Sequence, residues 1–482
     1  MFDLRPVGYV IGLLLVALGV AMFIPWGVDI IWATGGGGTF AASAMITILF
    51  GGSMALASAN SRQPGLSLQQ VFLLTVMSWV ALPVFAALPF WLGAPNASYT
   101  DAFFEAMSGM TTTGSTVFSN LESLPMGTLL WRGMMQWFGG VGIIVVAMAF
   151  LPTLKVGGMQ LFRSEGFDTL GKVLPRAGEI AGSISVIYLV LTLASILAYS
   201  MVGMAFFDAL VLSMTTISTG GFANSDASFG AYQGLPEYVA AVFMLLASLP
   251  FVRYVQIMNG SAQPLFRDSQ VRAFFATALG LILLLTIYRV LVNNEGGEES
   301  FREALFNVTS ILSGTGYTSV DYQLWGSFPV VLFFMLGLVG GCAGSTCCSI
   351  KIFRFQLLFI SIKQQIKRIH SPHGVFGARY AGRPVGDDVI SSVMAFFVMF
   401  MLTLAVLSVV LSLLGLDFIT AVSGAATALA NIGPGLGAEI GPSGNFGGLS
   451  DPVKWVLSFA MLIGRLELIS VYVLFTIGFW RG

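Results

Sequence analysis

Apolar residues along the chain gather into long unbroken runs parted by short polar stretches, a pattern that fits neither alternating strands nor one-sided surface helices. Runs of about 20 residues, the length that crosses a bilayer as a helix, fall at 7–25, 40–58, 71–92, 129–152, 183–205, 237–258, 272–292, 328–350, 390–414 and 453–478. They predict ten spans. The first run lacks a small-residue cleavage site and ends at Trp26, an interfacial anchor, so it reads as a retained helix and not a leader.

Lys and Arg fix the orientation. The segments around Arg5 and Arg62, Lys155 to Arg176, Arg267 to Arg272, Lys351 to Arg383, and Arg481 fall on one face if every run crosses, while the opposite connections hold a single basic residue, Arg302. The basic face is expected to be cytoplasmic, with both termini on it.

Four outward connections carry a short half-apolar segment that ends in small residues: Asp101-Ala102 to Thr113-Gly114, Asp208-Ala209 to Thr219-Gly220-Gly221, Glu303-Ala304 to Thr315-Gly316, and Thr420-Ala421 to Ile432-Gly433. In the second copy the spacing favours Gly221 and the Thr-Gly pairing favours Gly220, which leaves the register open. The chain thus divides into two extra N-terminal spans (1–66) and four units of span, short helix, loop and span, at 67–182, 183–271, 272–389 and 390–482. All four point the same way, as around a pseudo-fourfold axis along the membrane normal. The expected fold is an all-α integral membrane protein built from parallel repeats.

Composition sharpens the class. Of 482 residues 56% are hydrophobic and 9% charged, against roughly 25% charged in a soluble domain. The net charge of −1 offers no polyanion-binding surplus, so nucleic acid is not an expected partner. Cys342, Cys347 and Cys348 sit within seven residues, too close to staple distant segments and too few for a structural zinc. No Walker loop, dinucleotide fingerprint or paired acid and base occurs, so neither an enzyme nor a cofactor is expected, and nucleotide control requires another chain.

Irregular backbone at membrane depth survives only where it is packed in protein or lines water. Four such loops solve the problem jointly if their carbonyl oxygens converge and replace the hydration shell of a cation, with the negative ends of the short helices aimed at the same point. The residues expected to form this filter are Thr112, Thr113, Gly114, Thr219, Gly220, Gly221, Thr315, Gly316, Asn431, Ile432 and Gly433. Thr111 and Ser115 add hydroxyls nearby. Asn431-Ile432-Gly433-Pro434 departs from the other copies and implies a less regular filter, with looser selectivity against sodium. Among acidic residues of the outer loops, Asp101, Glu105, Asp208, Glu303 and Asp417 read first as helix caps and second as attractants for cations.

The stretches Thr-Thr-Thr-Gly-Ser at 111–115, Ser-Thr-Gly-Gly-Phe at 218–222, Gly-Thr-Gly-Tyr at 314–317 and Asn-Ile-Gly-Pro-Gly at 431–435 resemble the filter loops of the TrkH/KtrB potassium uptake proteins. Two extra N-terminal spans and Gly-Gly-Cys-Ala-Gly-Ser-Thr at 340–346 look like the TrkH branch. The resemblance covers essentially the whole chain. It implies potassium as the transported ion, a bacterial inner-membrane location, a homodimer with one pore per subunit, and a TrkA-type cytoplasmic partner that binds nucleotides.

Gly337, Gly340, Gly341, Gly344 and Ser345, followed by Thr346, interrupt the run at 328–350, where the helix is expected to break. Residues 341–350 then form an intramembrane gate under the filter, as the resemblance also implies; a glycine-rich packing face is the plain alternative. Arg465 lies inside the last run, where a charge is expensive. The resemblance places it in the pore below the filter, and a bond from Arg465 to the 341–350 loop or to a helix end is the competing assignment. Glu467 is two residues away and off the same helix face, so no direct pair is expected. Arg253 and Lys351 read as interfacial, with snorkelling side chains. The basic 351–383 segment, with Lys363, Lys367 and Arg368, can meet anionic membrane lipid or an acidic partner. The competing function is a proton- or sodium-coupled secondary transporter, whose broken helices also hold ions at mid-membrane.

Overall fold

The computed structural model describes residues 3–35, 37–60, 66–149, 177–374 and 376–481. The basic segments around Arg62 and from Lys155 to Arg176, on which part of the orientation argument rests, lie outside the described residues.

The N-terminal helix Arg5–Ala21 runs on through Phe23–Ile31 and pairs with Gly37–Ser58. Gly12 and Gly51 sit where the two backbones touch: a Cβ on Gly12 would lie 2.7 Å from the Gly51 carbonyl oxygen, and one on Gly51 2.8 Å from that of Gly12. Small residues at the crossing let dispersion forces act at short range, the main source of attraction between helices in lipid. Asp29, at the end of this pair, is buried and accepts the backbone N–H of Gly127 at 2.6 Å. The extra spans thereby reach the start of a helix almost a hundred residues on.

Four units follow. In the first, Leu68–Ala86 leads to the short helix Tyr99–Met110 and then to Met126–Ala149. Its opening helix is started by a capping box, with the Gln70 N–H on the Ser67 hydroxyl and the Ser67 N–H on the Gln70 amide oxygen. The second unit is Ala177–Met201, Phe206–Ile217, then Leu235–Ala247 and Phe251–Met258, which meet at 88°. The third is Ser269–Tyr288, Gly297–Ser313, Ser327–Gly337 and, after an irregular stretch, Ile352–His370. The fourth is Asp387–Leu413, Phe418–Ala430, then Asp451–Arg465 and a segment from Ile469 turned by 107°.

Among the described residues six helices are long and apolar enough to cross a membrane, and up to eight if each bent pair counts as one span. The difference from ten straight spans lies wholly in the second helices of the units. Among the described residues only that of the first unit, Met126–Ala149, is unbroken. Pro250, which has no N–H to continue the ladder, marks the second bend. Left-handed backbone at Glu467 and Leu468, with φ of 62° and 40°, marks the fourth. Arg465 therefore ends a helix and does not sit in the middle of one. The third helix stops at Gly337, as the glycine run predicts; strand-like pairing of Val339–Gly340 with Ile350–Lys351 pins the two ends of the excursion together.

Candidate functional site

The four short helices end in the same way. The N–H of Thr113 donates to Ser108 O at 2.8 Å, Gly220 to Thr215 O at 2.8 Å, Thr315 to Ser310 O at 2.9 Å, and Ile432 to Thr427 O at 3.1 Å. Each bond spans five residues, the closure of a Schellman-type helix end that uses left-handed backbone. That backbone recurs twice per loop. Thr112, Thr219, Gly314 and Asn431 have φ of 52°, 51°, 75° and 52°; two residues on, Gly114, Gly221, Gly316 and Gly433 have 88°, 79°, 82° and 108°. The second copy is thereby in register at Gly221, and Gly220 is the middle residue of its loop. A hydroxyl residue six positions before each glycine (Ser108, Thr215, Ser310, Thr427) is a further mark of the repeat that the reading of the chain passed over.

The loops meet one another in a closed cycle. A Cβ on Gly114 would run into the carbonyl oxygen of Gly220, one on Gly221 into that of Thr315, and one on Gly316 into that of Ile432. A Cβ on Gly433 would lie 3.1 Å from Thr113 O, which returns to the first loop. Each glycine thus faces the middle carbonyl of the next unit, and only a residue without a side chain fits there. All four glycines line one cavity of about 200 Å³. Asn431 and Ser115 close the last seam: the Asn431 amide donates to Thr113 Oγ1 and to Met461 O, both at 2.9 Å, and the Ser115 hydroxyl to Gly433 O at 2.8 Å.

Behind the collar stand Arg132 and Gln136, which the sequence did not single out. Arg132 is buried and pairs with buried Glu105 at 2.8 Å, donates to Ala223 O at 2.8 Å and lies 4.2 Å over the Phe222 ring. Glu105 also accepts the Val117 N–H at 2.9 Å. One turn along the same helix, the Gln136 amide donates to Gly220 O at 2.6 Å and accepts from Phe222 N at 3.0 Å. In the third loop the Tyr317 hydroxyl meets those of Thr215 and Thr216, the latter at 3.3 Å, and fixes that loop to the second short helix.

These contacts correct the assignment of outer acids as caps. Asp417 is a cap, accepting from Ile419 N and Thr420 N at 3.0 and 3.2 Å, and the Thr420 side chain, together with those backbone bonds, holds its carboxyl below the usual range. Glu105 serves Arg132, Glu303 pairs with Arg289 at 2.8 Å, Asp101 with Lys454 at 2.5 Å, and Asp208 accepts the Asn224 amide at 2.8 Å.

Below the collar, residues 341–350 are nearly all buried. Cys342 N donates to Ser248 O at 3.1 Å, Ala343 N to Gln270 Oε1 at 2.9 Å, Ser349 N to Ala430 O at 2.9 Å, and the Thr346 hydroxyl to Ala247 O at 3.1 Å. Gly344, with φ of 74°, turns its carbonyl to Phe251 N at 2.9 Å, at the start of the bent helix. Gly341 packs on Cys347, and the Ser345 hydroxyl closes onto Cys342 O at 2.7 Å.

Arg465 reaches this loop, donating to Cys348 Sγ at 2.6 Å and lying 3.4 Å from Thr346 O and 3.5 Å from Gly139 O. Cys348 Sγ in turn lies 3.7 Å from Thr112 Oγ1 in the first loop of the collar. Glu467 pairs with buried Arg354. Lys351 is not at the interface: its ammonium donates to Cys347 O, and with Arg465 it lines a small cavity under the collar. Arg253 pairs with Asp268 at 2.8 Å, where snorkelling was expected.

A family profile described as TrkH, cation transport protein, matches residues 37–479. The chain belongs to the TrkH family. It is 50% identical over 414 residues to the Trk system potassium uptake protein TrkI of Halomonas elongata, covering 86% of this chain and 84% of that one. It is 36% identical over 488 residues to the TrkH of Vibrio parahaemolyticus, covering 99% of both. The crystal structure of the potassium transporter TrkH from Vibrio parahaemolyticus superposes over 100% of both chains with a TM-score of 0.91 at 33% identity. This is a family of multi-pass membrane transporters and not of enzymes.

Proposed function

We propose that this chain takes potassium up across the bacterial cytoplasmic membrane through the collar of Thr113, Gly220, Thr315 and Ile432 carbonyls, with the loop at 341–350 and Arg465 as the gate beneath. One observation carries the reading: four loops from four units, identical in backbone handedness, face one another glycine to carbonyl in an unbroken cycle. Peptide oxygens gathered in this way suit a dehydrated alkali cation, because each replaces a water oxygen without a charged ligand that would hold the ion too tightly to leave. Thr112, Thr219, Gly314 and Asn431 close the helix ends, and the four glycines admit the neighbouring oxygens. The family's potassium uptake proteins support the choice of ion.

For the gate, the loop hangs by hydrogen bonds from the second, third and fourth units, and Arg465 adds a positive charge next to it, which opposes the passage of a cation. The loop's bonds are individually modest, about 1 kcal/mol each, and so can be exchanged. The working unit in this reading is a homodimer with one pore per subunit, both termini cytoplasmic, controlled by a nucleotide-binding cytoplasmic subunit, as the Trk system of the relatives suggests.

Rubidium uptake into proteoliposomes tests it. Gly114→Ser, Gly316→Ser and Gly433→Ser should each lower uptake while the protein still assembles; an undiminished rate with Gly316→Ser, whose side chain would overlap Ile432 O most deeply, would end the filter reading.

A further inference from the structure

Gln136 lies wholly buried on the unbroken helix of the first unit and grips the loop of the second with both ends of its amide. The oxygen it holds is that of Gly220, a member of the collar. Among the described residues no donor reaches the matching oxygens of Thr113, Thr315 or Ile432. The four collar oxygens are thus not equivalent: three are free and one already accepts an N–H at 2.6 Å.

We propose that Gln136 is a specificity-determining positioning residue, which weakens one collar oxygen and so tilts the pore toward the larger alkali cation. A carbonyl oxygen has two lone pairs, so Gly220 O can still face an ion while accepting from Gln136. An N–H pointed at that oxygen opposes the negative potential it presents. Sodium, small and strongly hydrated, needs strong-field ligands to replace its water; potassium is satisfied by weaker ones. The second bond, from Phe222 N to the Gln136 amide oxygen, fixes the amide so that the NH2 end faces Gly220 and not the reverse. The Arg132 guanidinium over Phe222 keeps that ring, and with it the N–H, in place. Among the described residues no counterpart stands behind the other loops: Tyr317 is tied through its own hydroxyl, and Asn431 through its own amide.

The inference rests on the filter reading above, and its test separates the two. Wild type, Gln136→Met and Gln136→Glu are reconstituted, and rubidium uptake is measured against rising sodium, with Gly316→Ser as the control for the filter. Methionine matches the volume and removes both bonds; ionised glutamate keeps the acceptor for Phe222 N and removes the donor to Gly220 O, and its ratio is read up to about pH 9, because a buried carboxyl that keeps its proton would still donate. Loss of one hydrogen bond should move the sodium-to-rubidium inhibition ratio about fivefold toward sodium. Both variants should show it, with a smaller change in maximal rate, and an ionised glutamate, which strengthens the field at Gly220 O, should shift the ratio toward sodium at least as far as methionine does. If glutamate keeps the wild-type ratio while methionine loses it, Gln136 acts only as a tether and the proposal falls. If both keep it at normal protein levels, the proposal also falls. If methionine does not accumulate, glutamate decides alone, being of the same size and shape. Normal uptake by Gly316→Ser would instead overturn the filter reading, whatever the Gln136 variants do.

Discussion

Two pieces of irregular backbone lie inside this protein, and they are held in opposite ways. The collar closes on itself: every loop takes its helix-ending bond from its own short helix, and every glycine abuts the next loop. The loop beneath it has few bonds of its own and hangs from Ser248, Gln270, Ala430 and Arg465, which belong to four other helices. A local, fourfold-repeated set of bonds cannot be lost one at a time without disturbing the rest. A set of distant single bonds can be released whenever a supporting helix moves. The first arrangement suits a site whose geometry must not change, and the second suits one that must.

The largest expected effects break the collar. A side chain at Gly316 costs about 1–2 kcal/mol for left-handed backbone and a further 1–3 kcal/mol or so for overlap with Ile432 O. Rubidium uptake by Gly316→Ala should fall to background. Gly221 and Gly114 meet the next oxygen less deeply, and at Gly433 the clearance is 3.1 Å, so only backbone strain remains there. The series Gly316, Gly221, Gly114, Gly433 should therefore run from abolished to roughly tenfold reduced uptake, each 1.4 kcal/mol being about a factor of ten. An inverted order would show that the collar is not closed as described.

Next come the supports of the loop. Arg465→Ala removes the bond to Cys348 and the charge below the collar together. Cation leak without any partner subunit should rise about tenfold, the shift that about 1.4 kcal/mol produces between closed and open states. Gln270→Leu removes one acceptor, that of Ala343 N, and should raise the same leak only about threefold to fivefold. If Gln270→Leu exceeded Arg465→Ala, the loop would be hung mainly from the third unit, and the arginine would act by charge alone.

What could be read in the chain follows from the same contrast. A glycine 13 positions after the start of each short segment declares the collar because each loop is built from bonds within its own segment. The break at Gly337 was legible for a similar reason: a glycine cluster weakens a helix where it stands. The braces were not. Gln136 and Arg132 find their partners in the second loop 84 and 91 residues away, and nothing near either residue distinguishes them from polar residues facing a neighbouring helix. Arg465 was visible as a costly charge, and the 341–350 loop, which holds Cys348, was one of the partners the chain offered for it; the pairing of Glu467 with Arg354 was not visible, because the turn at Glu467 and Leu468 redirects the chain. Pro250 was in plain view and was passed over because the apolar run continues through it.

The smallest effect concerns the rim, where the first two units exchange carboxylates. Glu122 Oε1 accepts from Ser225 Oγ at 2.6 Å and from Asp226 N at 3.1 Å, and Asp226 accepts from Asn120 N and Leu121 N at 2.7 and 3.1 Å. The Ser225 hydroxyl holds the Glu122 carboxyl below its ordinary value of 4.5. A lowered folded value means that the unfolded chain binds the proton more readily, so this tie stabilises the fold above about pH 4.5 and is lost as pH falls through the folded value. Glu122 is exposed, and water screens most of what such a bond contributes. Glu122→Gln, which keeps an acceptor but cannot titrate, should lower the unfolding midpoint at pH 7 by no more than about 1 °C. The difference between the two proteins should close as the pH falls below 4.5 and through the folded value. A larger shift, or one that grows on acidification, would mean that the rim and not the cycle of glycines and carbonyls keeps the first two loops together.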